Sequence, residues 1–250
     1  GRLRIIFDYK DGISDFSDLV YFKKSQLDFI PSNEVALLSC KDSDDVFERL
    51  KLLPKCIVVL ETDNTSAYSS LRQFFMDCIE YGILNPIIIK REYNNLIDEN
   101  TLIYAATDIG ALQIDGFGDG VWINTSHGNS FSNEISFGIL QASRTRISKT
   151  EYISCPSCGR TLFDLQETTE KIRSKTDHLK GVKIGIMGCI VNGPGEMADA
   201  DYGYVGTGPG LISLYKGQNV VEKNIKAENA VAALIDLIQK NGDWQEPNNV

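Results

Sequence analysis

The sequence predicts an α/β fold for residues 1–148, followed by a small α+β domain over residues 149–250. Three observations support this prediction. Short β-branched runs alternate with amphipathic stretches up to about residue 145, the predicted strands are almost continuously apolar, and the alternation stops near residue 150. Continuously apolar strands that alternate with helices are typical of a parallel sheet with helices on both of its faces.

Short apolar runs predict the strands of the first part. They lie at residues 3–7, 35–40, 56–60, 86–89, 112–114 and 121–123. Apolar positions spaced three and four residues apart predict helices between them, at residues 43–52, 67–82, 98–109 and 130–143. Because a closed TIM barrel needs eight strands, these units predict a TIM-barrel-like domain that is either incomplete or has its first strands upstream.

The second part has shorter elements in a different order. They are predicted as a helix at 161–177, a strand at 182–187, short strands at 202–205, 211–215 and 219–221, and a last helix at 227–239. A loop rich in glycine and proline follows the first of these strands. Short strands at hairpin spacing beside helices indicate an α+β module.

Composition and charge exclude several classes of protein. The chain has 250 residues, of which 42% are hydrophobic and 24% charged, so we expect it to fold. Its net charge of −9, without a basic patch, argues against binding to duplex nucleic acid or to an anionic membrane surface. No apolar run reaches the ~20 residues of a membrane span, and the first residues lack the features of a signal peptide. We therefore expect a cytoplasmic protein, or one of the plastid stroma if the source is a plant or an alga.

The six cysteines fall into two groups. Cys40, Cys56 and Cys78 each lie alone within or beside apolar runs, which predicts that they are small side chains of the core. The other three lie in the second part of the chain, at spacings that suggest metal binding.

Cys155 and Cys158 form a Cys-x-x-Cys turn that brings two thiolates close enough to bind one metal centre. This spacing also occurs in zinc sites, disulfides and redox motifs. Cys189 follows 31 residues later, in a loop whose glycines and proline can bend around a bulky ligand. A structural zinc site needs four closed ligands, and His178, the only histidine of this part, is predicted to be solvated. Glu196, seven residues after Cys189, is the nearest other donor.

Three thiolates and one exchangeable carboxylate favour an iron–sulfur cluster with one iron open to substitution. A structural zinc-binding module without catalytic activity stays open as the alternative, and so does a merely solvated Glu196. The zinc module predicts a colourless protein with stoichiometric zinc.

Two segments carry a resemblance that spacing alone does not give. Residues 150–164 (TEYISCPSCGRTLFD) and 188–196 (GCIVNGPGE) closely resemble the 4-hydroxy-3-methylbut-2-enyl diphosphate synthase family, the iron–sulfur enzymes of the non-mevalonate isoprenoid pathway. Residues 197–206 (MADADYGYVG) resemble the larger, plant-like form of that family. The resemblance is dense from about residue 109 to residue 244 and looser before it.

The resemblance implies a particular site and reaction. It implies a 4Fe–4S cluster whose ligands are Cys155, Cys158, Cys189 and Glu196. Glu196 would give way to an oxygen of the substrate during catalysis, and Asn192 would lie near that substrate. The family binds the cyclic diphosphate of methylerythritol on an N-terminal TIM barrel and opens its ring by a two-electron reduction, with ferredoxin or flavodoxin as electron donor. A monomer is expected, because the larger form assembles its site within one chain.

The chain departs from the substrate-binding barrel of the family. Trp122 and Asn124 align with the last strand of that barrel, where the short bacterial form has an arginine and a serine. Residues 1–148 therefore resemble the extra, structural domain that the larger form inserts between the barrel and the cluster domain. We expect the chain by itself to lack the diphosphate site and to be inactive.

Overall fold

The computed structural model describes residues 6–8, 19–94, 96–155, 159–191 and 193–247. The chain divides into two compact units, Gly1–Arg146 and Ile147–Val250. Each unit has a hydrophobic core of its own.

A curled parallel sheet forms the first unit. Its described strands are β1 (Ile6–Asp8), β2 (Leu19–Lys23), β3 (Ala36–Lys41), β4 (Cys56–Glu61), β5 (Ile87–Tyr93) and β6 (Gly120–Thr125). Each strand pairs in parallel with the next one along the chain, which is the strand order of an open half-barrel. An α/β fold is therefore confirmed for this unit.

Helices connect these strands. They are α1 (Phe47–Leu50), α2 (Ala67–Tyr81), α3 (Asp98–Ala105), α4 (Ala111–Ile114) and α5 (Asn129–Ala142), with a 3-10 turn at Lys24–Phe29 and a π-turn at Ala106–Gly110. The helix predicted at 67–82 is confirmed as α2. Its buried residues Leu71, Phe74 and Cys78 recur at helical spacing. It ends at Gly82, whose φ of 68° is the left-handed conformation that favours glycine.

The two faces of the first sheet differ in chemistry. Leu38 and Leu60 point to one face and are completely buried in a core that they share with the helices. Ser39 and Glu61 point to the other face, where their side chains are hydrogen-bonded to each other. Leu37 and Val59 also point to this second face and are buried, so the face is polar only toward the carboxyl ends of the strands. The described helices share the core of the first face, because right-handed crossovers between sequential parallel strands all pass on the same side of the sheet.

Two elements of the first unit differ from the prediction. Residues 112–114 are helical in α4 rather than extended. Ala105, Ile109 and Leu112 are all fully buried, and their spacing of four and three residues places them on one side of a helix but on both faces of a strand. Strand β2, in contrast, lies where the sequence pattern predicted none.

The three isolated cysteines lie in the core of the first unit, as predicted. Cys40, Cys56 and Cys78 are all buried among apolar side chains. Burial disfavours the charged thiolate. It raises the pKa of Cys56 to about 12 and that of Cys78 to about 11, and it also raises the pKa of Cys40.

A mixed sheet forms the second unit. Its described strands are β7 (Glu151–Ser154), β8 (Lys183–Met187), β9 (Tyr202–Gly208), β10 (Leu211–Lys216) and β11 (Asn219–Lys226). Strands β7, β8 and β9 are parallel neighbours, whereas β9, β10 and β11 are antiparallel. The helices are α6 (Leu165–Thr176), α7 (Gly193–Glu196) and α8 (Ala227–Lys240).

Helices α6 and α8 cover one face of this sheet. Ile172, Leu234 and Ile238 from these helices are fully buried together with the strand residues Tyr202 and Tyr204. The predicted helix at 161–177 begins later than expected, at residue 165. Its start is fixed by the preceding aspartate, whose side chain accepts the backbone N–H of residue 167 at 2.9 Å and so caps the helix.

A second, smaller core lies on the opposite face of the sheet. It consists of Met187, Met197, Ala200, Val205 and Tyr215, with Ile153 and Cys155 packed against it. This face holds the segment that follows β8, and it therefore positions the candidate site.

Candidate metal centre

Two of the predicted sulfur ligands follow neighbouring parallel strands. Cys155 comes directly after β7, and Cys189 comes two residues after the end of β8. In the register of the sheet Ser154 is opposite Ile186, and the N–H of Cys155 donates to the carbonyl of Ile186 at 3.2 Å. Because parallel strands end at the same edge, both cysteines lie at one edge of the sheet, and each is half-buried.

A backbone amide is aimed at one of these sulfurs. The N–H of Gly188, the residue before Cys189, donates to Sγ of Cys155 at 3.3 Å. Its carbonyl accepts the N–H of Leu162 at 3.0 Å. The amide therefore ties the Cys155 sulfur to the start of the loop that carries Cys189. Amides directed at cysteine sulfurs are also typical of iron–sulfur sites, where they set the reduction potential.

Glu196, the predicted carboxylate ligand, lies at the end of α7 and is exposed. The residue after it, Met197, is only 1% exposed. Met197 lies over Gly185 and Gly203, which are opposite each other in β8 and β9. A Cβ on Gly185 would be 2.7 Å from Cβ of Met197, and one on Gly203 would be 2.6 Å from its Sδ. The two glycines thus form a trench that anchors the backbone beside Glu196.

Two predicted site residues, Cys158 and Asn192, lie outside the described residues. Within the described ranges, no group of three His, Cys, Asp or Glu side chains is placed to hold a metal ion. The structure thus brings the Cys155 sulfur to the loop of Cys189, and it places Glu196 on an anchored turn. The described donors are compatible with part of an iron–sulfur site, because thiolates are the usual ligands of such clusters and amides directed at their sulfurs are typical of them.

His178 differs from its prediction. It is half-buried rather than solvated, and its ring packs edge-on against Trp244 with centroids 5.1 Å apart. Its Nε2 lies 2.7 Å from the carbonyl oxygen of Gln245. The tail after α8 folds back onto this residue, which is a long-range contact that the local sequence did not reveal.

Sequence reasoning missed the positioning groups of the site. The trench of Gly185 and Gly203 was not predicted, although glycines recur within β8 and β9. A glycine inside an apolar strand signals the close approach of another segment. That signal was available, but it does not say which segment approaches.

Trp122 and Asn124 lie on the polar face of the first unit. The indole N–H of Trp122 donates to Oδ1 of Asn124 at 3.0 Å. The Lys90 ammonium lies 5.2 Å from the centre of the indole ring, and it pairs with Glu61 at 3.2 Å. The positive charge of Lys90 is therefore neutralised by a carboxylate of the same unit.

A cavity of about 820 Å³ runs along β6 and α5. Trp122 and Asn124 line it, and among the described residues in its wall Arg146 is the only cation and Asp119 the only carboxylate. A diphosphate carries several negative charges, and one cation opposed by a carboxylate does not match them.

The described helices include none that is long and apolar enough to cross a membrane.

The fold and the site together define the second unit as an α+β domain that presents cysteine sulfurs at the edge of its parallel strands. Residues 151–240 of this unit match the family model described as GcpE protein C-terminal domain. The chain thus carries, at residues 151–240, a domain of the GcpE protein family, and the relatives that it resembles are named 4-hydroxy-3-methylbut-2-en-1-yl diphosphate synthases.

Curated relatives with that name are similar over both units. The chain is 52% identical over 203 residues to 4-hydroxy-3-methylbut-2-en-1-yl diphosphate synthase (flavodoxin) of Parabacteroides distasonis, which covers 81% of this chain and 33% of that protein. It is 43% identical over 253 residues to the protein of the same name from Leptospira interrogans, which covers 98% of this chain and 37% of that protein. The chain therefore spans about a third of the length of the curated relatives that it matches.

Proposed function

We propose that this chain is the cluster-bearing part of a 4-hydroxy-3-methylbut-2-en-1-yl diphosphate synthase, and that Cys155, Cys158, Cys189 and Glu196 hold a 4Fe–4S cluster. The observation that carries the proposal is the hydrogen bond from the Gly188 amide to the Cys155 sulfur. It links the two cysteine segments at one edge of the sheet, and it aims a donor at a sulfur that would bear negative charge. The names of the relatives support the same function.

The reaction proposed is the reductive opening of 2-C-methyl-D-erythritol 2,4-cyclodiphosphate. Two electrons and two protons enter, one carbon–oxygen bond of the ring and the carbon–oxygen bond of a hydroxyl group break, a carbon–carbon double bond forms, and the hydroxyl leaves as water. A bound cluster would supply the electrons and an iron atom that accepts an oxygen ligand. The electron donor is proposed to be flavodoxin, which the names of the relatives include, or ferredoxin.

The residues of this chain have defined tasks in that reaction. The Gly188 amide stabilises negative charge on the Cys155 sulfur. Glu196 would hold the exchangeable ligand position, and its exposure at the end of α7 leaves its side chain room to move. The backbone next to it stays in place, because Met197 is anchored between two glycines. Asn192, from the same loop, is proposed to contact the substrate.

The first test is the cluster itself. After anaerobic reconstitution with iron and sulfide, the protein is expected to be brown, with a broad visible absorption band and about four irons per chain. Cys189→Ser should abolish the band. Cys78→Ala, which removes a thiol buried in the other unit, serves as the matched control and should retain it. A colourless wild type with one zinc per chain would instead establish the zinc-binding module.

The role of Glu196 needs a separate test in the full-length enzyme. Glu196→Gln is expected to keep the cluster band and to lower turnover, because the three thiolates would still hold the cluster while a neutral amide is a poorer ligand for the remaining iron than a carboxylate. An unchanged spectrum together with an unchanged rate would refute the ligand role.

We also propose that the first unit is a structural, barrel-like domain without the diphosphate site. The single cation in the described wall of the cavity along β6 supports this assignment. A second cavity of the unit is lined by Lys23, Lys24, Lys41 and Lys90, and three of these lysines are paired with carboxylates of the same unit. The reconstituted chain is expected to give no product from the cyclic diphosphate with a strong reductant, and to gain activity when the N-terminal part of a full-length relative is added. Substantial turnover by the chain alone would contradict this assignment.

A further inference from the structure

Gly206, a residue of β9, lies against the peptide group that joins Gly188 to Cys189. A Cβ on Gly206 would be 2.6 Å from the carbonyl oxygen of Gly188 and 3.2 Å from its carbonyl carbon. These atoms are backbone, so they cannot yield as the end of a flexible side chain does. The φ of Gly206 is not in the left-handed region, and glycine is needed at this position for space rather than for backbone conformation.

The Gly188 residue is also held from its other sides. A Cβ on Gly188 would be 2.7 Å from Cγ2 of Thr161. Its carbonyl accepts the N–H of Leu162 at 3.0 Å, and its N–H donates to Sγ of Cys155 at 3.3 Å. A displacement of Gly188 by β9 would therefore change two hydrogen bonds and the starting point of the Cys189 side chain together.

We propose that Gly206 is a positioning residue for two sulfur ligands at once. By lacking a side chain, it lets the Gly188–Cys189 peptide lie directly on β9. This contact sets the direction of the Gly188 N–H toward the Cys155 sulfur, and it sets the position from which Cys189 extends. The consequence for the cluster rests on the function proposed above, whereas the contact itself does not.

The test compares Gly206→Ala with Gly208→Ala. Gly208 lies two residues further along the same strand, and a Cβ there would be no closer than 3.6 Å to its neighbour, the side chain of Leu211. The readout is amide hydrogen exchange, followed by NMR on the protein without metal. Gly206→Ala is expected to speed exchange at the Gly188 and Leu162 amides by about tenfold each, the effect of losing one hydrogen bond. Gly208→Ala is expected to leave both unchanged.

The Asp201 amide separates a local effect from a global one. It donates to the carbonyl of Lys183 at 2.9 Å, at the opposite end of β8. In Gly206→Ala the Asp201 amide should stay protected, while the amides of Gly188 and Leu162 exchange faster. Unchanged exchange at both of these amides in Gly206→Ala, or equal acceleration in Gly208→Ala, would overturn the proposal.

A second measurement addresses the cluster. After reconstitution, Gly206→Ala is expected to have a more negative reduction potential than wild type, because loss of an amide donor to sulfur destabilises the more negative, reduced state. Gly208→Ala should match wild type. Equal potentials in all three proteins would overturn the link to the cluster. If wild type binds no iron, the proposed function fails, and the exchange data still decide the role of Gly206.

A third variant keeps the proposal testable if Gly206→Ala does not fold. Cys155→Ala removes the acceptor of the Gly188 N–H and leaves Gly206 intact. The Gly188 amide should then exchange about tenfold faster, while the Leu162 amide keeps the wild-type rate, because β9 still holds the Gly188 carbonyl. Acceleration of both amides would mean that the sulfur, not Gly206, holds the loop, and the proposal would be wrong.

Discussion

Met197 is the side chain that fixes the Glu196 turn, and its replacement by alanine should be costly. Its side chain is 1% exposed and fills the trench between Gly185 and Gly203. Truncation of a buried methionine to alanine leaves a cavity and lowers the free energy of unfolding by about 2–5 kcal/mol. We expect a loss of about 3 kcal/mol in the second unit.

Filling the trench from the other side should also destabilise this unit. A Cβ on Gly203 would lie 2.6 Å from Sδ and Cε of Met197 and 3.0 Å from Cβ of Tyr215. The thioether end can move in part, so we expect Gly203→Ala to cost about 1–3 kcal/mol, the usual range for overpacking. Gly195→Ala is the control, because no atom lies within 4 Å of its Cβ position.

The double variant tests whether the two residues share one space. If the added methyl group of Gly203→Ala occupies the volume vacated in Met197→Ala, the two losses should not add, and the double variant should be more stable than their sum by at least ~1 kcal/mol. Urea unfolding followed by fluorescence of Trp244, in a Trp122→Phe background, reports on the second unit alone. Strict additivity of the two losses would refute the trench as the anchor of Met197.

Three further predictions concern other contacts. Gly118→Ala should destabilise the first unit by more than Gly116→Ala in urea unfolding: both glycines have positive φ, but only at Gly118 would a Cβ clash, 2.7 Å from a side chain of β5. The hydrogen bond that Tyr202 donates lowers the pKa of Asp243. The ionised Asp243 carboxylate therefore stabilises the folded protein fully above the ordinary carboxyl pKa, and this stabilisation is lost as pH falls through the lowered pKa of Asp243. The unfolding free energies of wild type and Asp243→Asn should accordingly converge in acid. Iodoacetamide at pH 8, with peptides identified by mass spectrometry, should modify the half-buried cysteines well before Cys56, whose pKa is raised to about 12; equal rates would contradict this.

Local periodicity determined much of the fold in advance. Helix α2 was predictable because its buried residues repeat at helical spacing within one segment and a glycine follows. Strand β4 was predictable because five consecutive apolar residues are flanked by polar ones. In both cases the information lies within about 15 residues of the chain.

Elements that depend on distant contacts were not predictable in the same way. Strands β2 and β7 are short, and each is extended because a neighbouring strand supplies hydrogen bonds. Residues 112–114 look like a strand when taken alone, yet they continue the helical stripe that Ala105 and Ile109 begin. Tertiary context decides such short apolar runs, because they fit both a buried helix and a buried strand.

By itself, the sequence determined the α/β and α+β classes, the buried state of the isolated cysteines and the segments that carry the family resemblance. Each of these depends on residue type and spacing, which a linear chain displays directly. Only the tertiary structure decided that Gly188 turns its amide to the Cys155 sulfur, that Met197 lies across two glycines and that Gly206 must have no side chain. These contacts join residues 6 to 33 positions apart across three strands. A glycine inside a strand indicates that another segment packs closely against the backbone there, but which segment this is depends on how the strands pair.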